Sequence, residues 1–567
     1  MHLIAINIWL KKFWKMSKVK EFFKRLSIAY LSPFLSGILL GISWPYTGSM
    51  TPLIFVAFVP LLYSHHIFFD KDKTNYLISF LSAFTTFFIF NFWTTSWIRY
   101  ASLEGAYMAI IFNAIFMSAI FVAYHFARRH LHYRAALFAF AVFWLAFEWI
   151  HHRWELSWPW LTLGNVFAIR PHWIQWYEYT GTLGGSLWIL LINITVFNFV
   201  RRAIDLRGFI YRIVLFLFLP FVISYLLIPK SNQPTADINV LIVQPNIDPY
   251  EEKFDLFQTV EATKKFVDIA SQKMSDTIDL IVGPETFYPE AYNDDAIREN
   301  FEFTHTREFM AKYQPHLALI NGLTYYKKYK PGEKHLYSTR SALKPDGSVF
   351  YFDIFNSSIL LKANGDFQLY HKSKLVLGVE KMPFSGLLPF LNEFAMDLGG
   401  VTGSLGYQEH TSLFRWVTRK GDSVNCASII CYESVYGEFV GEFMRLGANL
   451  LVIITNDGWW DDSPGYKQHL SFATLRAIET RKDIARCANT GVSAIIRRDG
   501  TIEQQSPWWK EATLVAKLNL YEDTTFYAIH GDIIGRLAAF CSVLLLLGTF
   551  ANKLNITKKR LTKNVNK

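Results

Sequence analysis

Hydrophobic positions follow two different patterns along this chain. In the first 230 residues, apolar stretches of 15–25 residues are separated by short polar or basic links. Seven run over residues 28–44, 51–69, 74–98, 105–127, 135–149, 180–200 and 213–229, and an eighth over 533–550. Each approaches the ~20 residues that a helix needs to cross ~30 Å of hydrocarbon. One such stretch alone would pass for a buried core helix, but eight together predict a multi-pass helical membrane domain. Arg536 lies close enough to one end of the eighth to snorkel toward the interface.

Between the seventh and eighth stretches the period shortens. "NVLIVQPNI" (239–247), "DLIVGPE" (279–285), "HLALINGLT" (316–324), "VNCASIICYE" (424–433) and "NLLVIITND" (449–457) read as buried strands. Helices are expected over 256–272 and 467–488, with "GVSAIIRRDG" (491–500) extended after the second. "KPDG", "KANG" and "RRDG", ending at Gly347, Gly365 and Gly500, are turn signals between extended runs. Alternation of strands and helices predicts an α/β unit with layered sheets and helices outside. Three parts follow: residues 1–229 with seven spans, 230–525 as the extramembrane domain, and 526–567 as the last span and a basic tail.

Charge changes this picture by giving it a direction. Lys11, Lys12, Lys15, Lys18, Lys20, Lys24 and Arg25 precede the first span, and Lys553, Lys558, Lys559, Arg560, Lys563 and Lys567 follow the last. Loops rich in Lys and Arg stay in the cytoplasm, so both termini are expected inside, which requires an even number of crossings. Arg128, Arg129, Arg134, Arg201, Arg202, Arg207 and Arg212 fall in links that the same count puts inside. The extramembrane domain is then expected outside the cytoplasm. The formal net charge of +10 is largely this topogenic charge and is no nucleic-acid footprint. The exit of the first span, "GISWPYTGS", lacks a small-x-small cleavage pattern, so that span is expected to remain as an anchor. Four cysteines imply no disulfide framework, and Cys426 and Cys431 are not expected to pair.

Candidate chemistry sits at strand ends. Glu285 closes "LIVGPE", Lys372 lies in "YHKSKLVLGVE" and Cys431 closes "SIICYE". In α/β folds, residues at the carboxyl ends of strands converge on one rim. Taken singly, each has a plain structural explanation: a packed thiol, a solvated charge.

Together, and in their local contexts, the three resemble the Glu-Lys-Cys triad of the nitrilase (carbon–nitrogen hydrolase) superfamily. With eight spans and the soluble domain ahead of the last, the chain is similar to the bacterial apolipoprotein N-acyltransferase family. Further motifs carry the likeness: "TNDGWWDDSPGYKQHL" (455–470), "RCANTGVSAII" (486–496), and the aromatic "SWPWLTLGN" with "IQWYEYTGTLGGSLWIL". Departures are "LGVE" (377–380) where the family commonly has Pro-Phe-Gly before the glutamate, "GPETFYPE" for the usual Trp-Pro-Glu-Ser, and a shorter loop between Asn356 and Lys372.

The resemblance implies a nitrilase-like α-β-β-α sandwich and a ping-pong acyl transfer. Cys431 would be the nucleophile, Glu285 the general base, Lys372 the oxyanion stabiliser and Glu433 a supporting carboxylate that orients Lys372 or the incoming amine. Tyr432, Glu380, Asn356, Trp459 and Trp460 are expected to bind substrate, the two tryptophans on a loop that moves to admit the second substrate. A phospholipid would donate the acyl chain, and a diacylglyceryl-cysteine apolipoprotein would accept it, at the outer face of the bacterial inner membrane and in a monomer. No metal-ligand spacing or phosphate loop points to a metal or cofactor. Trp154, Trp158, Trp160, Trp173, Trp176 and Tyr177 suit an interfacial belt, and Glu148, His151, His152 and Glu155 read as water-accessible anchors near the outer end of the fifth span. The rival readings are a membrane-anchored amidase of the same triad and a transporter with an incidental one.

Overall fold

The computed structural model describes residues 31–69, 76–229, 234–248, 256–384 and 404–565. The basic leader and the start of the first apolar stretch therefore lie outside the described residues.

Among the described residues, six helices are long and apolar enough to cross a membrane: Tyr76–Tyr100, Leu103–His130, Tyr133–His151, Tyr177–Val200, Leu206–Leu226 and Ile533–Ile556. Two shorter apolar helices, Leu31–Ser43 and Thr51–Ile67, occupy the first two expected stretches. The second of these opens with a 3-10 turn, Thr51–Phe55, that carries Pro52 at its start, where the missing N–H costs nothing. Leu206–Leu226 has almost no fully buried residue in the protein alone: Leu206, Leu215, Phe218, Leu219 and Leu226 are exposed as lipid-facing residues are, while Phe216, Leu217 and Phe221 pack on the bundle. The basic residues gather at one end of the bundle: the Arg201 guanidinium stacks over Tyr133 at 3.8 Å, and Asn552 donates to the His130 carbonyl. The opposite end meets the soluble domain.

That domain begins with strands β1 (Ala236–Gln244), β2 (Leu280–Val282), β3 (Tyr288–Tyr292), β4 (Ala318–Lys328), β5 (Arg340–Leu343), β6 (Val349–Lys362) and β7 (Phe367–His371). It continues with β8 (Phe414–Val417), β9 (Ser423–Ile430), β10 (Leu450–Thr455), β11 (Ile484–Ala488), β12 (Ala494–Ile496), β13 (Ile502–Gln505) and β14 (Ala512–Leu520). One sheet runs β14-β1-β2-β4-β6-β5, with β3 beside β4 and β7 beside β6; the other runs β13-β12-β11-β10-β9-β8. In the second sheet β9, β10 and β11 are parallel, with Ile430 opposite Ile454 and Thr455 opposite Ala488. Every residue of β10 and β11 is buried, which explains their largely apolar texture, broken in β11 by Arg486. Ser358 on β6 and Ser428 on β9 are hydrogen-bonded at 2.7 Å, tying the two sheets together inside the core. Helices cover both outer faces, giving the expected α-β-β-α order.

The expected helix over 467–488 is corrected. The helix is Pro464–Thr480, ended by Arg481 in the left-handed region at φ +53°, and residues 484–488 form β11 instead. Five residues sandwiched between β10 and β12 gain ladder bonds that a longer helix would forfeit. The three turn signals hold. Gly347, Gly365 and Gly500 all take φ between +80° and +91° and donate back to Lys344, Lys362 and Arg497.

Candidate active site

Strand ends build the site. After β2 the chain turns through Gly283 and Pro284 to Glu285; β7 ends one residue before Lys372; β9 ends one residue before Cys431; β10 ends just before Asn456 and Asp457. The sheets thus deliver four polar segments to one rim, as the α/β arrangement requires.

Lys372 is only 1% exposed, and a buried ammonium needs anions and acceptors around it. Its Nζ donates to Glu285 Oε1 at 3.1 Å and to Glu380 Oε1 at 2.8 Å. Asn356 Nδ2 donates to the same two oxygens, at 2.8 Å each. The Asn456 backbone N–H donates to Glu285 Oε2 at 3.0 Å, so both oxygens of Glu285 are fixed. Glu380 Oε2 accepts from the Val376 N–H, which closes the "LGVE" turn on itself. Burial alone would depress the Lys372 ammonium, but Glu285 and Glu380 outweigh it and hold the group well above its ordinary range.

Cys431 occupies the left-handed region at φ +52°, a costly place for a residue with a side chain, of order 1–3 kcal/mol. It opens a short 3-10 turn, Cys431–Val435. Burial and the neighbouring Glu285 push its thiol well above the ordinary value, against a smaller pull from Lys372. Both of these influences favour the neutral thiol, with Glu285 and Lys372 beside it.

Glu433 anchors that turn. Its Oε2 accepts from the Ile430 N–H at 2.9 Å; its Oε1 accepts from the Ser373 N–H at 2.6 Å, the Lys374 N–H at 3.2 Å and the Tyr370 hydroxyl at 2.8 Å. One fully buried carboxylate thus joins the nucleophile turn to the lysine segment through backbone groups. Burial pushes Glu433 up to about 7, opposed by those hydrogen bonds.

Behind Cys431 lies a constellation that sequence reading did not single out. His469 Nε2 sits 3.2 Å from the Cys431 carbonyl oxygen and 3.0 Å from Ser434 Oγ, and Nδ1 sits 2.9 Å from Asp457 Oδ1. Thr455 Oγ1 donates to Asp457 Oδ1 at 2.6 Å, and Arg486 donates to Asp457 Oδ2 at 2.5 Å. Burial would raise Asp457, but Arg486 and His469 reverse this and hold its carboxyl well below the usual range. Cys431, Asp457 and His469 bring one ligand atom each within 4.8 Å. Arg486 Nη2, also 3.2 Å from His469 Nδ1, already supplies the cation that this group accommodates. His469 and Arg486 lie inside the quoted motifs, and their signal is polarity on a helix and a strand that have no exposed face.

The membrane part closes the other side. Trp160 stacks with Trp158 at 5.7 Å, Trp158 with Tyr432 at 6.1 Å, and Trp460 packs on Trp97 and Trp160 at 4.9 and 5.8 Å. Trp459, beside it, is half-buried. Gln468 joins the two halves: its Oε1 accepts from the Trp160 and Trp97 indoles at 2.7 and 3.3 Å, and its Nε2 donates to the Pro45 and Thr94 carbonyls. Trp160 and Tyr177 are therefore core residues rather than belt residues, at 1% and 0% exposure. Glu148 and His151 are likewise buried, not water-accessible: Glu148 Oε1 accepts from Trp144 and from the Leu163 N–H, which sets the loop bearing Trp160. Glu155 remains at the surface, paired with Lys381.

Comparison with known proteins agrees with this layout. The apolipoprotein N-acyltransferase N-terminal domain model matches residues 36–195, and the carbon-nitrogen hydrolase model matches residues 239–524. The apolipoprotein N-acyltransferase of Chlorobaculum tepidum is 28% identical over 522 residues, covering 90% of this chain and 94% of that protein. That of Geobacter metallireducens is 27% identical over 521 residues, 89% and 92% of the two chains. A solved nitrilase-superfamily protein of Saccharomyces cerevisiae is 17% identical, with a TM-score of 0.32, covering 51% of this chain and 93% of that one. The chain belongs to the carbon–nitrogen hydrolase family, in the branch that carries the apolipoprotein N-acyltransferase N-terminal domain ahead of the hydrolase domain.

Proposed function

We propose that this multi-pass membrane protein is an acyltransferase that moves a fatty acyl chain from a phospholipid, through a thioester on Cys431, to the N-terminal amine of a diacylglyceryl-cysteine apolipoprotein. The observation that carries the reading is the buried Glu285–Lys372 pair beside the Cys431 thiol, in a chain whose relatives bear the acyltransferase name.

Glu285 takes the proton from Sγ as the sulfur attacks the ester carbonyl. Negative charge then develops on the carbonyl oxygen, where the Lys372 ammonium and the Tyr432 N–H are its stabilisers. The ester C–O bond breaks, the lysophospholipid leaves with the proton from Glu285, and the acyl group stays on sulfur. In the second half the α-amine attacks the thioester carbonyl, Glu285 takes a proton from nitrogen, and the C–S bond breaks as that proton passes from Glu285 to sulfur, returning the thiol and the carboxylate. Neither half consumes ATP, because the thioester keeps the activation of the ester it replaced. Asn356 and Glu380 act by fixing the Glu285 and Lys372 side chains rather than by touching substrate. Glu433 acts through the backbone, holding the nucleophile turn against the lysine segment. Trp460, with Trp459 beside it, lies where the acyl chains would enter from lipid.

The soluble domain is assigned to the periplasmic face of the inner membrane, with both termini cytoplasmic and the protein a monomer. Basic residues at the bundle end opposite the soluble domain support this sidedness.

Purified protein given phospholipid and a diacylated lipopeptide should yield the triacylated lipopeptide, and donor alone should add one acyl mass to Cys431 but not to Cys431→Ala. Release of free fatty acid without triacylated product would favour a hydrolase instead.

A further inference from the structure

We propose that His469 is a positioning residue for the nucleophile: it fixes the peptide plane between Cys431 and Tyr432 and so aims the Tyr432 N–H at the developing oxyanion. The proposal rests on the reading of Cys431 as the acylated residue.

The 431–432 peptide is trans, so its N–H points away from its C=O. Two groups face the C=O: Ser434 Oγ donates to it at 2.8 Å, and His469 Nε2 lies 3.2 Å from it, where it donates whenever that ring nitrogen carries the proton. Pinning the carbonyl on the buried side turns the N–H to the other. Tyr432 is the second residue of a helical turn, and such a residue has no intrahelical acceptor for its N–H. That donor is free for a ligand.

The ring itself is held from behind. Nδ1 rests on Asp457, and Asp457 is locked by Thr455 and Arg486, all of them fully buried. Trp160 and Trp460 flank the imidazole at 5.8 and 5.5 Å. The left-handed backbone at Cys431 stores strain that something must oppose, and the carbonyl clamp together with the Glu433–Ile430 bond does so. His469 also neighbours Gln468, which binds the membrane helices, so the nucleophile's backbone is indexed to the membrane part through one turn of helix.

The test separates the two ring nitrogens. In full-length detergent-solubilised protein, His469→Gln can still place an amide N–H near the Nε2 position, whereas His469→Asn reaches only the Nδ1 position. The first readout is acylation of Cys431 by p-nitrophenyl octanoate, followed as the nitrophenolate burst, which requires oxyanion stabilisation whatever the natural donor. The second is alkylation of Cys431 by iodoacetamide, followed by peptide mass, which forms no oxyanion. His469→Asn should slow acylation about 100-fold, the scale of a misplaced catalytic donor, while alkylation changes less than about fivefold. His469→Gln should stay within about tenfold of wild type in acylation. Thermal unfolding of each variant checks that it folds. The proposal is overturned if folded His469→Asn acylates within threefold of wild type, if both reactions slow alike, or if His469→Gln acylates no faster than His469→Asn. Normal ester bursts without any acyl transfer from phospholipid would sink the functional reading and leave this one standing.

Discussion

The two helical layers of the soluble domain make opposite bargains with their surroundings. Helix Leu256–Ser271 on the first sheet is amphipathic: Thr263, Phe266, Val267 and Ala270 are buried, while Glu261, Lys264 and Asp268 face solvent. Helix Pro464–Thr480 on the second sheet buries every residue except Pro464 and Lys467, polar ones included. Its polar groups find partners on both sides: Gln468 and Thr474 bond to the membrane part, His469 and Arg476 to the Cys431 turn. Arg481, just past its end, donates to Gln175, Glu178 and the Leu227 carbonyl. One layer is an ordinary domain surface; the other is an internal wall between lipid-facing helices and the reacting sulfur. A site whose substrates never leave the bilayer needs its catalytic layer on that side.

The contrast can be broken or sharpened by experiment. The largest effect belongs to the cluster itself: Glu285→Gln and Lys372→Ala should each lower turnover at least about 10³-fold while leaving the protein folded, as followed by single-turnover thioester formation. Either variant retaining a tenth of wild-type activity would remove that residue from its role.

Next comes pH. The walled side holds two carboxyls that burial pushes up to about 7, Glu433 and Glu479. A carboxyl raised in the folded state from 4.5 contributes stability that is fully present below 4.5 and lost as pH rises through 7. At ~1.4 kcal/mol per unit, Glu433 contributes about 3 kcal/mol of this dependence. Thermal unfolding from pH 4.5 to 8 should show that slope in wild type and less of it in Glu433→Gln; an equal slope would contradict the assignment.

Gln468→Ala should cost about 2 kcal/mol in thermal unfolding, because it strands the Trp160 indole N–H and the Pro45 carbonyl between the halves, while Trp97 keeps its bond to the Thr94 carbonyl. At the bottom of the scale, Lys264→Ala on the solvent helix removes an exposed i,i+3 pair with Glu261 and a 5.9 Å approach to the Phe301 ring, and should move stability by less than about 0.5 kcal/mol. If the two substitutions proved equal, the distinction between wall and surface would fail.

Legibility divided along similar lines. Long apolar runs, strand ends and turn glycines could be read directly, since each depends on neighbours in sequence. Glu285, Lys372 and Cys431 were found because they stand at strand ends and match a familiar set of motifs. His469 was missed: a histidine on a helix carries no local mark of the carbonyl it will face. The end of helix Pro464–Thr480 was missed as well, because "IARCA" becomes a strand only through pairing with β10 and β12. Glu148 and His151 were misread as solvated because the loop that covers them, residues 158–163, lies beyond the span in sequence and folds back over its end.

The sequence by itself therefore determined which segments are apolar enough for lipid, which are strands, and which residue types could do acyl transfer. Those properties are set by side-chain chemistry and short-range period. Only the tertiary structure decided that one glutamate shares its oxygens with a lysine and an asparagine, that another grips the backbone on both sides of the site, and that a histidine stands behind the sulfur's own carbonyl. Apart from the local Glu433–Ile430 bond, such contacts join residues from 38 to 87 positions apart, and they exist because two sheets and a membrane bundle exclude water from one small volume.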